Sequence, residues 1–557
     1  MVKNEKDPLL PLEQRRQIIT KERAADNSNG IQDENSNSNN NDDDDDANPW
    51  TDAKDTIRLG IPLFLSMCSW VGMKLTDSAL LGHTSSSSSS SPTSSDALAA
   101  ASLSDLWTMC TAVLIQGRVL GVLTGAAIGA GNPRLAGIYL QISVLVLGAT
   151  SLFVMASWWC TGLVWRWFGS DPYVASMAGY YATVLSISIP AQVVFGQVSQ
   201  FFSSQRILHP EVYASATALV LNLGLGLVLV LGVGIPHFSG FGFAACPAVT
   251  AAVVYLQVAV LVGWGYWSNV SKSNSQSQPS AAAAPSQSSS TTWDTIGPWD
   301  ASEWTWTRIT TFAQLYVPAA LGMASDFWRV AVVGTAAARL GETQVAVFNT
   351  SYRLMWMVLI AISALASAAG IKLTLRLGRN QGALARQAGL IGIAMAAIVL
   401  VILGGLVYTN LATLGRIFTN DAEFLHLLDE AALPFTITLV LMNFSVALER
   451  LPYAMGRTKE VFWCGFVASW GFQVPAVYAL TYYWRDDLVG LYTGMAIGYA
   501  AVTILYGTIV ATCDWDYYAQ LAVERSETTP KATAAVNVVA QEENGKTEQN
   551  DEEQHLA

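Results

Sequence analysis

The chain has 557 residues, of which 52% are hydrophobic and 13% charged, with a mean hydropathy of +0.34. Soluble domains carry about 25% charged residues, so this composition excludes an ordinary soluble enzyme or nucleic-acid-binding domain and points to a polytopic membrane protein. The net charge of −12 belongs to the tails: residues 1–55 hold 14 acids and 7 bases and residues 514–557 hold 10 and 3, so each tail is −7 and the segment between them +2.

Residues 1–55 read as a disordered acidic tail. SNSNNNDDDDDAN is a polar low-complexity run, too poor in apolar side chains to form a core. No apolar segment follows the first charges, so no secretory signal is expected. EKDPLLP places Glu5 four residues before Leu9 and a second leucine, Leu10. That pattern matches acidic dileucine signals read by cytosolic sorting adaptors and suggests an internal membrane such as a vacuole.

About 20 apolar residues cross a bilayer as helix. Windows of that length predict twelve spans: 57–81, 97–127, 136–160, 173–199, 209–232, 242–268, 308–338, 344–371, 384–408, 424–449, 461–483 and 488–512. The fold class is therefore all-α, with six helices in 56–268 and six in 308–513. Between them, 269–307 holds a Ser/Ala/Pro-rich linker with nothing to pack, and 514–557 reads as a second disordered acidic tail.

Connections after even-numbered spans carry eleven Lys and Arg, among them Arg134, Arg206, Lys372, Arg376 and Arg457, against four after odd-numbered spans, Arg166, Arg339, Arg416 and Arg485. Basic connections stay in the cytosol, which puts both termini there. The halves also echo each other. RLGIPLFLSM at 58–67 is similar to LYVPAALGMA at 315–324, and Pro190 in span 4 matches Pro434 in span 10. An even number of spans per half makes the repeat parallel, and clefts between such repeats bind transported substrates.

Six cysteines and five histidines are scattered with no CxxC, HExxH or other ligand spacing, so no disulfide framework, metal or cofactor is expected. No HxxxD, GxSxG or paired histidines lie at membrane depth, which argues against a membrane enzyme.

Five stretches in the right order resemble the multidrug and toxic compound extrusion (MATE) family, closer to its eukaryotic branch: TDSALLGH, TGAAIGAGNPRLAGIYLQ, FFSSQRILHPEVYASATALVLNL, YVPAALGMASDFW and DDLVGLYTGMAIG. The resemblance covers nearly all of 57–513. It implies a two-bundle secondary transporter that exports organic, mostly cationic compounds in exchange for H+ or Na+. Several family positions differ here. The helix-seven glutamate is Asp326, the helix-two glutamine is Ala126, the helix-ten carboxylate falls at Met442 or Asn443, and an acid four residues after Asn222 is Gly226.

A charge at bilayer depth costs at least ~2.5–3.5 kcal/mol and hints at function. Eight ionisable groups fall within the predicted spans: Lys74, Asp77, Asp105, Arg118, Asp326, Arg329, Arg353 and Glu449. Asp77 and Asp326, one in each half, are the expected ion-coupling carboxylates. Lys74–Asp77 and Asp326–Arg329 stand at i,i+3, where each pair could instead simply neutralise itself. Lys74, Arg118, Arg329 and Arg353 are expected to modulate the site, while Asp105 and Glu449 sit near span ends and read as interfacial. Trp107, Asn222, Phe327, Trp328, Asn349, Tyr352 and Trp356 are the candidate substrate-lining residues, since ring faces attract organic cations by ~0.5–2 kcal/mol. The alternatives at this stage are a lipid-linked sugar flippase of related fold and sodium-coupled efflux. Plasma membrane and internal membrane both stay open.

Overall fold

The computed structural model describes residues 48–84, 93–276, 299, 301–416, 419 and 421–526. The dileucine at Glu5, Leu9 and Leu10 lies outside them, as does residue range 277–298 of the linker. The described segment from Asp52 onward forms one unit, in which helices account for the secondary structure. Among the described residues, nine helices are long and apolar enough to cross a membrane, and a tenth span is the pair Pro172–Ser186 and Ile189–Ser204, bent by 50°. The other two are span 7, Trp306–Leu340, and span 11, made of Thr458–Phe466, a wide π turn at Val467–Gln473, and Val474–Tyr483. Span 1 is Pro49–Gly82, span 3 Pro133–Trp159, span 5 His209–Leu229, span 6 Ala245–Gln276, span 8 Glu342–Gly378, span 9 Gly382–Arg416, span 10 Ala432–Ala454 and span 12 Leu488–Ala511. The all-α, twelve-span reading holds, and the differences lie inside the spans.

Span 2, expected as one helix, is two: Ser94–Ala112 and Leu120–Gly129. Gly117 between them has φ +47, and a Cβ there would stand 2.4 Å from Leu147 Cδ1. Non-helical backbone at membrane depth needs protein partners for its freed polar groups. Span 4 supplies them: Gln200 Nε2 donates to Gln116 O at 3.3 Å, and Gln200 Oε1 accepts from Gly121 N at 3.4 Å. The bend in span 4 precedes Pro190, whose ring cannot continue the ladder, and Tyr255 Oη of span 6 donates to the freed Ile187 O at 2.9 Å. The π turn of span 11 likewise runs into Pro475.

Two apolar cores divide the molecule. One gathers Met73 to Leu261 from spans 1–6, and the other gathers Val333 to Tyr499 from spans 7–12. Span 7 takes part in both. Its residues Phe312, Leu315, Tyr316, Ala319 and Ala320 belong to the first core, Val333, Ala336 and Ala337 to the second, and Pro318 lies inside the helix. Tyr316 Oη donates to Leu114 O in the break of span 2.

The bundles are joined at the end that carries the basic connections. Asp52 of span 1 accepts from Lys372 Nζ at 2.5 Å and from Arg376 Nη2 at 2.7 Å and Nη1 at 2.8 Å, both on span 8. Gln387 Nε2 of span 9 adds a bond of 3.1 Å. Relative exposures of 2% for Asp52, 0% for Lys372 and 1% for Arg376 place this trio in the interior. Nearby, Gly129 of span 2 meets Gly378 of span 8 so closely that a Cβ on Gly129 would lie 2.3 Å from Leu375 O. The tail expected to be disordered from 514 instead continues as a helix, Trp515–Ser526. Its Trp515, Ala519 and Ala522 pack with Ala126 of span 2 and Leu373, Leu377 and Ala454 of spans 8 and 10, so it straps both bundles at that end.

Candidate functional site

The N-terminal bundle buries Asp77, 5% exposed, where spans 1, 5 and 6 meet. Asn222 Nδ2 donates to its Oδ1 at 2.8 Å and Thr250 Oγ1 to its Oδ2 at 3.0 Å. The expected neutralising partner is absent: Lys74 Nζ turns to Asp105 Oδ1 at 2.8 Å, on span 2. This corrects the Lys74–Asp77 pairing. Side chains three apart on a helix can pair only when neither has a better partner, and Asp105 offers one on a neighbouring helix. Asp77 is therefore a buried carboxylate bonded by neutral donors alone, and burying such a charge without a cation costs several kcal/mol. At Gly226, one turn beyond Asn222, a Cβ would stand 2.2 Å from Leu80 Cδ1, so a side chain there requires Leu80 to shift.

The C-terminal bundle holds a second, larger charged site. The Asp326–Arg329 pair forms as spacing suggested, Arg329 Nη2 to Asp326 Oδ1 at 3.3 Å. The two differ in setting. Arg329 is buried; its guanidinium lies over the Tyr499 ring at 4.9 Å and donates to Gln473 in the π turn of span 11. Asp326 keeps 53% of its side chain accessible and shares its field with Tyr352, Tyr499 and Glu449 from spans 8, 12 and 10. Glu449, read from the sequence as interfacial, lies within the field of Asp326 and is a further candidate. It feels Asp326, Arg450, Arg118 and Arg329, and Tyr453 stands among the same groups, its hydroxyl donating to Ala319 O at 3.4 Å. Arg118 comes from the break in span 2, so charges from both bundles act on Glu449.

The aromatic candidates divide. Phe348, Tyr352 and Trp356 recur one turn apart on span 8, with successive rings 5.9 and 6.5 Å apart, and Phe327 meets Trp356 at 6.2 Å. They wall the Asp326 side. Trp328 is 53% exposed and, two residues on, points about 160° away from Asp326; it does not join them. Trp107 Nε1 donates to Ser157 O at 3.0 Å within the N-terminal bundle, away from the cluster. Asn349 and Arg353 are exposed on span 8, and Arg353 forms no ion pair among the described residues.

A family model for MatE matches residues 62–228 and 318–479. The chain belongs to the MatE family. Its relatives include an uncharacterized transporter of Schizosaccharomyces pombe, 23% identical over 85% of this chain and 81% of the relative. Multidrug and toxin extrusion protein 1 of Xenopus tropicalis is 22% identical over 86% and 77%. The crystal structure of the eukaryotic MATE transporter AtDTX14 superposes with a TM-score of 0.71 at 18% identity, covering 86% of this chain and 99% of the other. The sequence reading of a twelve-helix MATE fold stands, and this MatE chain is a membrane transporter.

Within that MatE frame, Thr250 is a candidate the sequence did not mark, and Glu449 one it marked but read as interfacial. Thr250 sits in TAAVV with nothing to mark it, since a threonine in an apolar run bonds its own helix as readily as a neighbour's acid. Glu449 did carry a signal. It is an acid directly beside Arg450 in a span containing Pro434 and Pro452, and only its distance from the span end argued against it.

Proposed function

We propose that this transporter is an antiporter that expels organic cations in exchange for protons by alternating access, with the basic end and both tails in the cytosol, in a vacuolar or other internal membrane or in the plasma membrane. The observation that carries the reading is the bonding of Asp77: a buried carboxylate is held by Asn222 and Thr250, while Lys74, bonded to Asp105, acts on it only through space, so a bound proton or metal cation completes its compensation. Asp326, accessible beside the Phe327, Tyr352 and Trp356 rings, is the second carboxylate, placed where an organic cation can lie against rings and acid together. Proton and cargo then compete for negative charge, and each excludes the other as the cleft is presented to one side of the membrane and then the other.

The test is uptake of a fluorescent organic cation into proteoliposomes under an imposed pH gradient, and separately under a sodium gradient. Asp77→Asn is expected to abolish gradient-driven accumulation, and Asp326→Asn to weaken it at least ten-fold. Wild-type behaviour in both variants overturns the assignment, and accumulation that follows only the sodium gradient replaces the proton by Na+. One feature favours a second reading: Arg118 and Arg450 in the Glu449 cluster suit an anionic group such as a lipid-linked sugar phosphate. Competition by such an anion, lost in Arg118→Gln, would favour a flippase.

A further inference from the structure

A second acid, half-buried, lies between spans 1 and 5. Glu211 stands in the first turn of span 5, at the basic end, and hydroxyl groups from two other helices hold its carboxylate. Ser66 Oγ of span 1 donates to Oε1 at 2.9 Å, and Ser203 Oγ of span 4 donates to Oε2 at 3.4 Å. Ser66 Oγ is also 3.1 Å from Ser215 Oγ, one turn along span 5, to which Gln257 Nε2 of span 6 donates at 3.3 Å. Ser66 and Ser203 thus bond this acid directly, and Ser215 and Gln257 extend the network from Ser66, all four neutral. Among the described residues no lysine, arginine or histidine forms an ion pair with it; the nearest basic groups along the chain are Arg206 and His209, both exposed, and Tyr213 is exposed as well.

The placement of Glu211 relative to Asp77 is regular. Glu211, Ser215, Ala218 and Asn222 fall on one face of span 5, at steps of four, three and four. Opposite them on span 1 stand Ser66, Ser69, Met73 and Asp77. The two helices run in the same direction, and the seam is bonded at both ends: Ser66 to Glu211 and Ser215 at the basic end, Asp77 to Asn222 further in. Eleven residues of helix set the acids about 16 Å apart. Beyond Ser69 and Ser215 the seam turns apolar before it reaches Asp77. Met73 and Ala218 are buried, and a Cβ on Gly72 would stand 3.0 Å from Leu219 Cδ1. The bundle thus has a carboxylate at each end of one seam and an apolar plug in the middle.

We infer that Glu211 is a second proton-binding site, which exchanges protons with the cytosolic side and through which Asp77 is loaded or emptied when the Met73–Ala218–Leu219 plug parts. The inference rests on the proton-antiport reading and adds to it the residue that faces the cytosol. No bond other than O–H is made or broken: the proton leaves one carboxylic acid and is accepted by the other carboxylate, with Ser66 and Ser215 as bonding partners at the Glu211 end.

The experiment compares full-length wild type with Glu211→Gln, Glu211→Asp and Asp77→Asn in proteoliposomes. It reads both pH-gradient-driven accumulation and downhill flux of the same fluorescent cation without a gradient. Infrared difference spectra of the reconstituted protein between acidic and neutral buffer report carboxylic-acid protonation directly. Glu211→Gln is expected to keep downhill flux within two-fold of wild type, to lose at least ten-fold in driven accumulation, and to lack one protonated-carboxyl band. Glu211→Asp is expected to restore the band with a shifted pH profile. If Glu211→Gln accumulates cargo like wild type, or keeps every carboxyl band, Glu211 is a structural acid and the inference fails. Should the Gln variant not fold, an unchanged pH profile and band in Glu211→Asp has the same force. A loss confined to sodium-driven transport would also overturn it. Asp77→Asn separates the two claims: if it transports normally, the antiport reading fails whatever Glu211 does.

Discussion

Replacing Asp52 by Asn should loosen the contact between the bundles at the basic end. The change keeps the side chain's shape and removes its charge, leaving Lys372 and Arg376 in the interior without the carboxylate that accepts three of their bonds. Removing one partner of a buried ion pair costs about 3–5 kcal/mol, and here two cations lose the same partner. Once the bundles part, both cations meet water, so the penalty falls on the closed arrangement alone. At about 1.4 kcal/mol per power of ten, that moves the closing equilibrium by roughly two to three and a half orders of magnitude. Spin labels at positions 134 and 380, exposed on opposite bundles beside this contact, would read it by pulsed dipolar spectroscopy in a background without native cysteines. Asp52→Asn should shift the distance distribution from a short to a long population. Adding Arg376→Gln should recover part of the short one, because the pair's coupling is non-additive. A distribution unchanged from wild type would refute the lock.

Two further outcomes follow from close contacts. Gly498→Ala puts a methyl group 2.1 Å from Gln473 Cβ; overpacking of this kind costs about 1–3 kcal/mol, and displacing Gln473 frees Arg329, so lower thermal stability should accompany weaker cation transport at low substrate concentration. Ending the chain after Cys513 removes the strap Trp515–Ser526, together with the bond from Asn132 Nδ2 to Ser526 O at 3.2 Å. The label distance should lengthen as in Asp52→Asn, though less, and a distance equal to wild type would show that the strap only decorates the closed end.

Spans, halves and the acid at 326 were legible in the sequence because they rest on local quantities: apolar length, charge between spans, and i,i+3 spacing. What was not legible depends on which helix lies beside which. Lys74 has two acids within reach, and only the packing of span 2 against span 1 gives it to Asp105, 31 residues away. The same dependence hid Thr250, and it hid the Asp52–Lys372 bond across 320 residues. The interruption of span 2 was concealed for a different reason. Its backbone groups are satisfied by Gln197 and Gln200 from span 4, so the break leaves the apolar profile of 97–127 intact.

The first half of span 7 is packed into one core and its second half into the other. If the bundles rock apart as the proposed alternating access requires, a continuous helix sewn into both cannot ride with either. It then has to flex, and the residues between Ala320 and Val333, which include Asp326 and Arg329, lie on the stretch that does so. Opening would twist the acid proposed to face the cargo, making the lever and the ligand one piece of chain.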